Sequence, residues 1–168
     1  MAAKIERMQS LGEKPALPNS PPMNTTFTDR EVNAYLQLEG HSFLPAGITN
    51  PRVSIGANGK VTGRAIVDLD ALRSSQPRGL LDPLAFVRGA VEVVATGSVT
   101  ASNGNGVAHY ESVTIAGIAV PKTIAQEVLR FSTRTKERPQ GFAFDTPFEL
   151  PAQIRSVTVD AGRVTVSQ

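Results

Sequence analysis

The chain has 168 residues, 40% of them hydrophobic and 19% charged, values that suit one globular domain with its own core. Seventeen Lys and Arg against fifteen Asp and Glu leave a net charge of +2, too balanced for a general nucleic-acid binder. With no cysteine, disulfides, thiolate zinc sites, iron–sulfur ligation and cysteine nucleophiles are excluded. In chain order, residues 3–12 place Ile5, Met8 and Leu11 at three-residue spacing, the pattern of a short helix. PALPNSPP (15–22) follows and reads as a linker or extended segment, because proline removes the backbone donor that helices and central strands need. The expected organisation is therefore an N-terminal helix and proline-rich linker over 1–26, then a single α+β domain over 27–168.

TFTDREVNAYLQLEG opens that domain as a helix. Thr28 suits the N-cap, Glu31 completes a capping box three residues on, Val32, Tyr35 and Leu36 share a face, and Gly40 ends it. The next part is β. VSIGANGKVTGRAIVDLD (53–70) carries Asn58-Gly59, suited to a type I′ hairpin turn. Beyond that turn Val61, Gly63, Ala65, Val67 and Leu69 alternate with Thr62, Arg64, Asp68 and Asp70, with Ile66 as the exception. The alternation returns at 91–101, NGNG (103–106) reverses the chain into VAHYESVTIAGI, and SVTVDAGRVTVSQ reads as two short strands about Asp160-Ala161-Gly162. The fold class expected from this order is α+β, a long curved antiparallel sheet packed against one or two helices.

The inward faces are thin. Gly63, Ala65, Ala95, Gly97 and Ala101 stand where bulk would fill a core, so a backbone approaches closely, the sheet curves, or space is left open. Between the β regions, LRSSQPRGLLDPLAFVRG (72–89) gathers Leu80, Leu81, Leu84, Phe86 and Val87 among Arg73, Arg78 and Arg88. This reads as a crossover segment over the end of the sheet, or else as an apolar tip that touches a membrane surface peripherally. In GIAVPKTIAQEVLRFSTRTKERPQG (117–141), Pro121 suits a first helical turn, and Ile124, Ala125, Val128 and Leu129 form one face. Arg130, Arg134, Lys136 and Arg138 then suit the negative end of the helix dipole.

Chemistry is sparse. His41 and His109 are far apart, no HExxH, GxSxG or P-loop occurs, and no metal or cofactor is expected. Asp68 and Asp70 would share a strand face about 7 Å apart, but Arg64 and Thr62 on that face mark it as solvated and no third acidic ligand is near. The expectation is a protein that is not an enzyme. No stretch approaches the roughly 20 apolar residues that span a bilayer, and MAAKIERMQS lacks the apolar core of a signal peptide. The expected location is the periplasm or cell envelope if the native N-terminus carries a signal, and the cytoplasm otherwise.

The series FTDREVNAYL, VSIGANGKVTGRAIVDLD, ESVTIAGIAVPKTIAQEVL and FAFDTPFELPAQIRSVTVDAGRVTV resembles uncharacterised exported bacterial proteins. In element order over 27–168 it is similar to TULIP-like periplasmic lipid-binding proteins, the LmeA-type proteins among them. That resemblance implies a strongly curved sheet on a long helix, with lipid held in the apolar crevice between them. The expected function is non-enzymatic binding of a lipid or amphiphile, lined by Ile124, Val128 and Leu129 and by the strands' inward faces, with Leu80, Leu81, Leu84, Phe86 and Val87 at the mouth. The alternative is a structural or protein-interaction module with a solid core and no ligand. Oligomeric state is not legible in the sequence.

Overall fold

In the computed structural model the residues described are 1–13, 21–40, 44, 47–74, 89–134 and 139–168. The chain is α+β, with a curled antiparallel sheet that closes half a barrel and, among the described residues, four helices. In order these are α1 (Ala2–Gly12), β1 (Asn24–Thr28), α2 (Asp29–Glu39), β2 (Ile48–Ile55), β3 (Lys60–Asp68), α3 (Leu69–Ser74), β4 (Ala90–Ser102) and β5 (Asn105–Ile115). The two-residue β6 (Ile118–Ala119), α4 (Lys122–Ser132), the two-residue β7 (Phe148–Glu149), β8 (Ser156–Asp160) and β9 (Arg163–Ser167) complete the chain.

The sheet runs β1-β9-β8-β4-β3-β2, with β5 on β4 and with β6 and β7 on β5. Two parts make it up. β2 to β5 form a meander of long ladders, while β1, β9 and β8 form a shorter ribbon. The two parts share one ladder pair, Ala101 with Val157. Backbone bonds from Gly59 N–H to the Val159 carbonyl (3.3 Å) and from Gly162 N–H to the Ile55 carbonyl (2.8 Å) close the junction. The turns follow from local chemistry: Asn58 and Gly59 hold φ of 55° and 78°, and Asn103 and Gly104 hold 51° and 77°. Those left-handed pairs match the twist of the flanking strands, and Asn and Gly adopt them at least cost.

Curvature has two visible sources. In β2 the register slips between Thr49 and Arg52, where Pro51 has no N–H to give and Asn50 turns left-handed at φ 50°. In β5 an extra residue opposes the Thr96–Gly97 step of β4. Both strands that end the path are guarded. At β2 the Asn33 side chain imitates a neighbouring strand, its Nδ2 donating to the Val53 carbonyl and its Oδ1 accepting from Val53 N–H, each at 2.7 Å. At β1, Lys4 of α1 donates to the Thr26 carbonyl at 2.8 Å and pairs with Glu31 at 2.6 Å. Charges and side-chain caps at sheet edges block pairing with another chain.

α2 forms where its caps demand. The Thr28 hydroxyl accepts from Glu31 N–H at 3.2 Å, and Glu31 Oε2 accepts from Thr28 N–H at 2.9 Å. This is the capping box read from the sequence. Lys4, and behind it the Thr28 amide, lower the Glu31 carboxyl to about 2.

Apart from Ala125 of α4, the buried apolar side chains among the described residues fall in two places. Phe27, Val159, Val166 and Ile55 lie towards the β1-β9-β8 ribbon and its junction with β2. Leu69 (2% exposed) lies at the other end, packed by Val67, Val91, Ile115 and Val128 of α4. Leu69 and Asp70 were expected as strand residues and are instead the start of α3. The reason lies in Asp68, whose Oδ1 accepts from Asp70 N–H (3.0 Å) and Ala71 N–H (3.1 Å), as an N-cap does. Asp70 Oδ2 accepts from Gly89 N–H at 2.9 Å; Asp70 is solvent-exposed as expected, but it lies on α3, so the two carboxylates are not a pair on one strand.

Candidate functional site

Strand register places Val53, Gly63, Ala95 and Val113 in one row across four strands, on the face that carries Val67 and Val91. A Cβ built on Gly63 meets nothing within 4 Å among the described residues. Ala95 beside it is exposed, though it sits mid-sheet between half-buried valines. Gly97, two residues on, is small for a different reason. A Cβ there would collide with the carbonyl oxygen of His109 on β5, where the extra residue crowds the ladder. Of the readings open for the small inward residues, Gly97 is close backbone approach, and Gly63 is open space among the described residues. The outcome is a short apolar saddle between two packed ends.

α4 borders this face. Ala125 is buried and Val128 packs on Leu69, while Ile124 is 38% exposed and Leu129 is half-buried. Of the residues read as a lipid site, the structure thus brings Val128 to the packed end and leaves Ile124 at the surface. Leu80, Leu81, Leu84, Phe86 and Val87 lie outside the described residues, as does His41.

The opposite flank of α4 is tied to residues 141–145. Gln126 donates to the Phe142 carbonyl (3.3 Å) and accepts from Phe144 N–H (2.8 Å), and Thr133 accepts from Phe142 N–H (2.7 Å). Gly141 lies so close to the Arg130 carbonyl that no side chain fits there. Lys122 and Gln126, which the helical spacing turns away from the apolar stripe, are the residues that hold this strap. An open cleft of about 560 Å³ lies along it, lined by Arg130, Phe142, Phe148 and Glu149 among others and by none of Ile124, Val128 and Leu129. Phe142 and Phe148 meet edge to face at 5.3 Å, and Tyr110 and Phe144 at 5.4 Å.

His109, isolated in sequence, is not isolated in space. Its Nδ1 lies 2.7 Å from Asp145 Oδ1, and Lys122 Nζ lies 2.6 Å from Asp145 Oδ2. The Lys122 ammonium, then the His109 ring, hold the Asp145 carboxyl below its usual range. Sequence reasoning missed Asp145 because it is 36 residues from His109, on a segment with no regular period. The nearest signal is FAFDTPF, an aspartate set among phenylalanines. No group of three or more His, Asp or Glu able to hold a metal occurs among the described residues. No helix among the described residues is long and apolar enough to cross a membrane.

Fold and site together define an α+β half-barrel protein with an apolar saddle, open among the described residues, and a polar cluster beside the strap. No protein-family model matches the chain, and no curated protein matches it.

Proposed function

We propose that the protein binds an apolar chain, a lipid or amphiphile, along the inner face of the sheet beside α4, without turning it over. The observation that carries this reading is the saddle at Gly63 and Ala95, where two small residues bring no bulk to the middle of a long sheet and a Cβ on Gly63 meets nothing within 4 Å among the described residues. An acyl chain gains about 0.8 kcal/mol per buried methylene, so a dozen contribute roughly 10 kcal/mol before association costs of about 4 kcal/mol or more. Such binding needs shape and no polar motif, which fits a sequence poor in chemical signatures. The resemblance in element order to TULIP-like proteins supports the same reading, with a cell-envelope location if the native N-terminus carries a signal.

Native mass spectrometry of gently purified protein tests it. The expected result is a co-purifying species of several hundred daltons that organic solvent releases, and that Gly63→Phe loses while keeping a wild-type melting temperature. A wild-type protein without any such species, or an equally loaded Gly63→Phe variant, would replace this reading with the ligand-free structural module.

A further inference from the structure

We propose that Thr100 is an acyl-acceptor hydroxyl, activated by His109, on the opposite face of the sheet from Ala95. Thr100 Oγ1 lies 3.5 Å from His109 Nε2, the loose separation common where a nucleophile and its base have no substrate between them. Behind the ring, His109 Nδ1 meets Asp145 Oδ1 at 2.7 Å. Asp145 also accepts from Lys122 at 2.6 Å, and that pairing keeps its carboxyl ionised. In the neutral ring, the carboxylate on Nδ1 favours the tautomer with its proton on that nitrogen, and Nε2 then offers a lone pair to the hydroxyl, the arrangement in which imidazole removes a proton.

The position of Asp145 is fixed by its backbone: it sits in a turn at φ 57°, a left-handed conformation that aspartate adopts more readily than most residues, and its N–H is anchored to the Ala108 carbonyl at 2.8 Å. The side chains of His109 and Asp145 remain 42% and 40% exposed, so a donor in solution reaches them. The 140–149 cleft is lined by neither Thr100 nor His109. The group therefore suits one stoichiometric transfer from a small activated ester and not repeated turnover on a bound substrate.

In the step proposed, Thr100 Oγ bonds to the acyl carbon while its proton moves to His109 Nε2. The bond from the acyl carbon to the leaving oxygen breaks, the alcoholate departs, and the imidazolium returns its proton to water. A threonine ester remains. This inference does not depend on lipid binding, since the two sites lie on opposite faces.

The test is p-nitrophenyl acetate on the full chain, read by p-nitrophenolate release and by peptide mapping of the intact adduct. One equivalent of acetyl on Thr100 is expected. His109→Gln should slow its appearance about 100-fold, Thr100→Val should abolish it, and Thr100→Ser should keep the adduct at the same position. Circular dichroism checks that each variant is folded. Acetylation confined to Lys122 or other amines, no adduct, or an unchanged rate in His109→Gln overturns the proposal.

Discussion

Alanine at Gly63 and alanine at Gly97 should have opposite effects, although both glycines lie on the same face of adjacent strands. A methyl at Gly63 enters space with nothing within 4 Å among the described residues, and the position has no left-handed φ to protect. Glycine within a strand costs about 0.5–1 kcal/mol relative to alanine through backbone entropy, so Gly63→Ala should stabilise by up to that amount. A methyl at Gly97 meets the His109 carbonyl, a backbone atom that moves only if β5 moves. Overpacking costs about 1–3 kcal/mol and a weakened ladder bond about another 1 kcal/mol. Gly97→Ala should therefore destabilise by roughly 2–4 kcal/mol, giving a difference between the variants of about 2–5 kcal/mol. With a urea slope of about 2 kcal/mol per molar, the unfolding midpoints should separate by about 1 M or more. A Gly63→Ala variant destabilised by over about 1 kcal/mol would mean that something fills the saddle, and equal midpoints would refute the contrast outright.

Leu69→Ala removes the most buried side chain described and should cost about 2–5 kcal/mol in urea unfolding, whereas Leu38→Ala, at a site 71% exposed, should stay within about 0.5 kcal/mol. Asn33→Ala strips both partners from the Val53 backbone. It should cost about 1–3 kcal/mol and speed hydrogen exchange at the Val53 amide, which a merely exposed Asn33 would not change. For Glu31, the folded carboxyl titrates near 2 and the unfolded one near its ordinary 4.5. Its contribution is thus complete above 4.5 and disappears as pH falls towards 2. Lys4→Met should raise the folded value and flatten that acid limb, as NMR titration of the Glu31 carboxyl would record.

The elements that rest on short-range chemistry were legible. Thr28 and Glu31 announce α2, Asn58-Gly59 and Asn103-Gly104 fix two hairpins, and alternation over 91–101 marks the longest strand. The misses share a cause. A domain that starts at residue 27 leaves Asn24–Thr26 in the linker, because NTTFT is too short and polar to show a period and its place as a strand depends on β9 at the far end of the sequence. Leu69 and Asp70 continue the alternation perfectly well, but the carboxylate of Asp68 takes the amides of Asp70 and Ala71 and turns the chain into α3. At the saddle, composition flagged the small residues but could not separate Gly63 from Gly97, because that distinction depends on which backbone lies opposite. The cluster of His109, Asp145 and Lys122 draws on a strand, an irregular strap and a helix, so no local pattern foretells it.

The single rung between the meander and the ribbon has a kinetic corollary. β4 and β5 are joined by a two-residue turn, so their ladder closes a very small loop and can form early. The β1–β9 ladder brings together residues as distant as Thr26 and Thr165, whose hydroxyls meet at 3.0 Å across 139 positions of chain. Contacts at such separation are slow to form, because the intervening chain must be ordered first. Folding is thus expected to run from the middle outward, with the two flanking segments zipping last. Substitutions at Val166 should hasten unfolding and leave the folding rate nearly untouched, while those in the β4–β5 hairpin should slow folding itself.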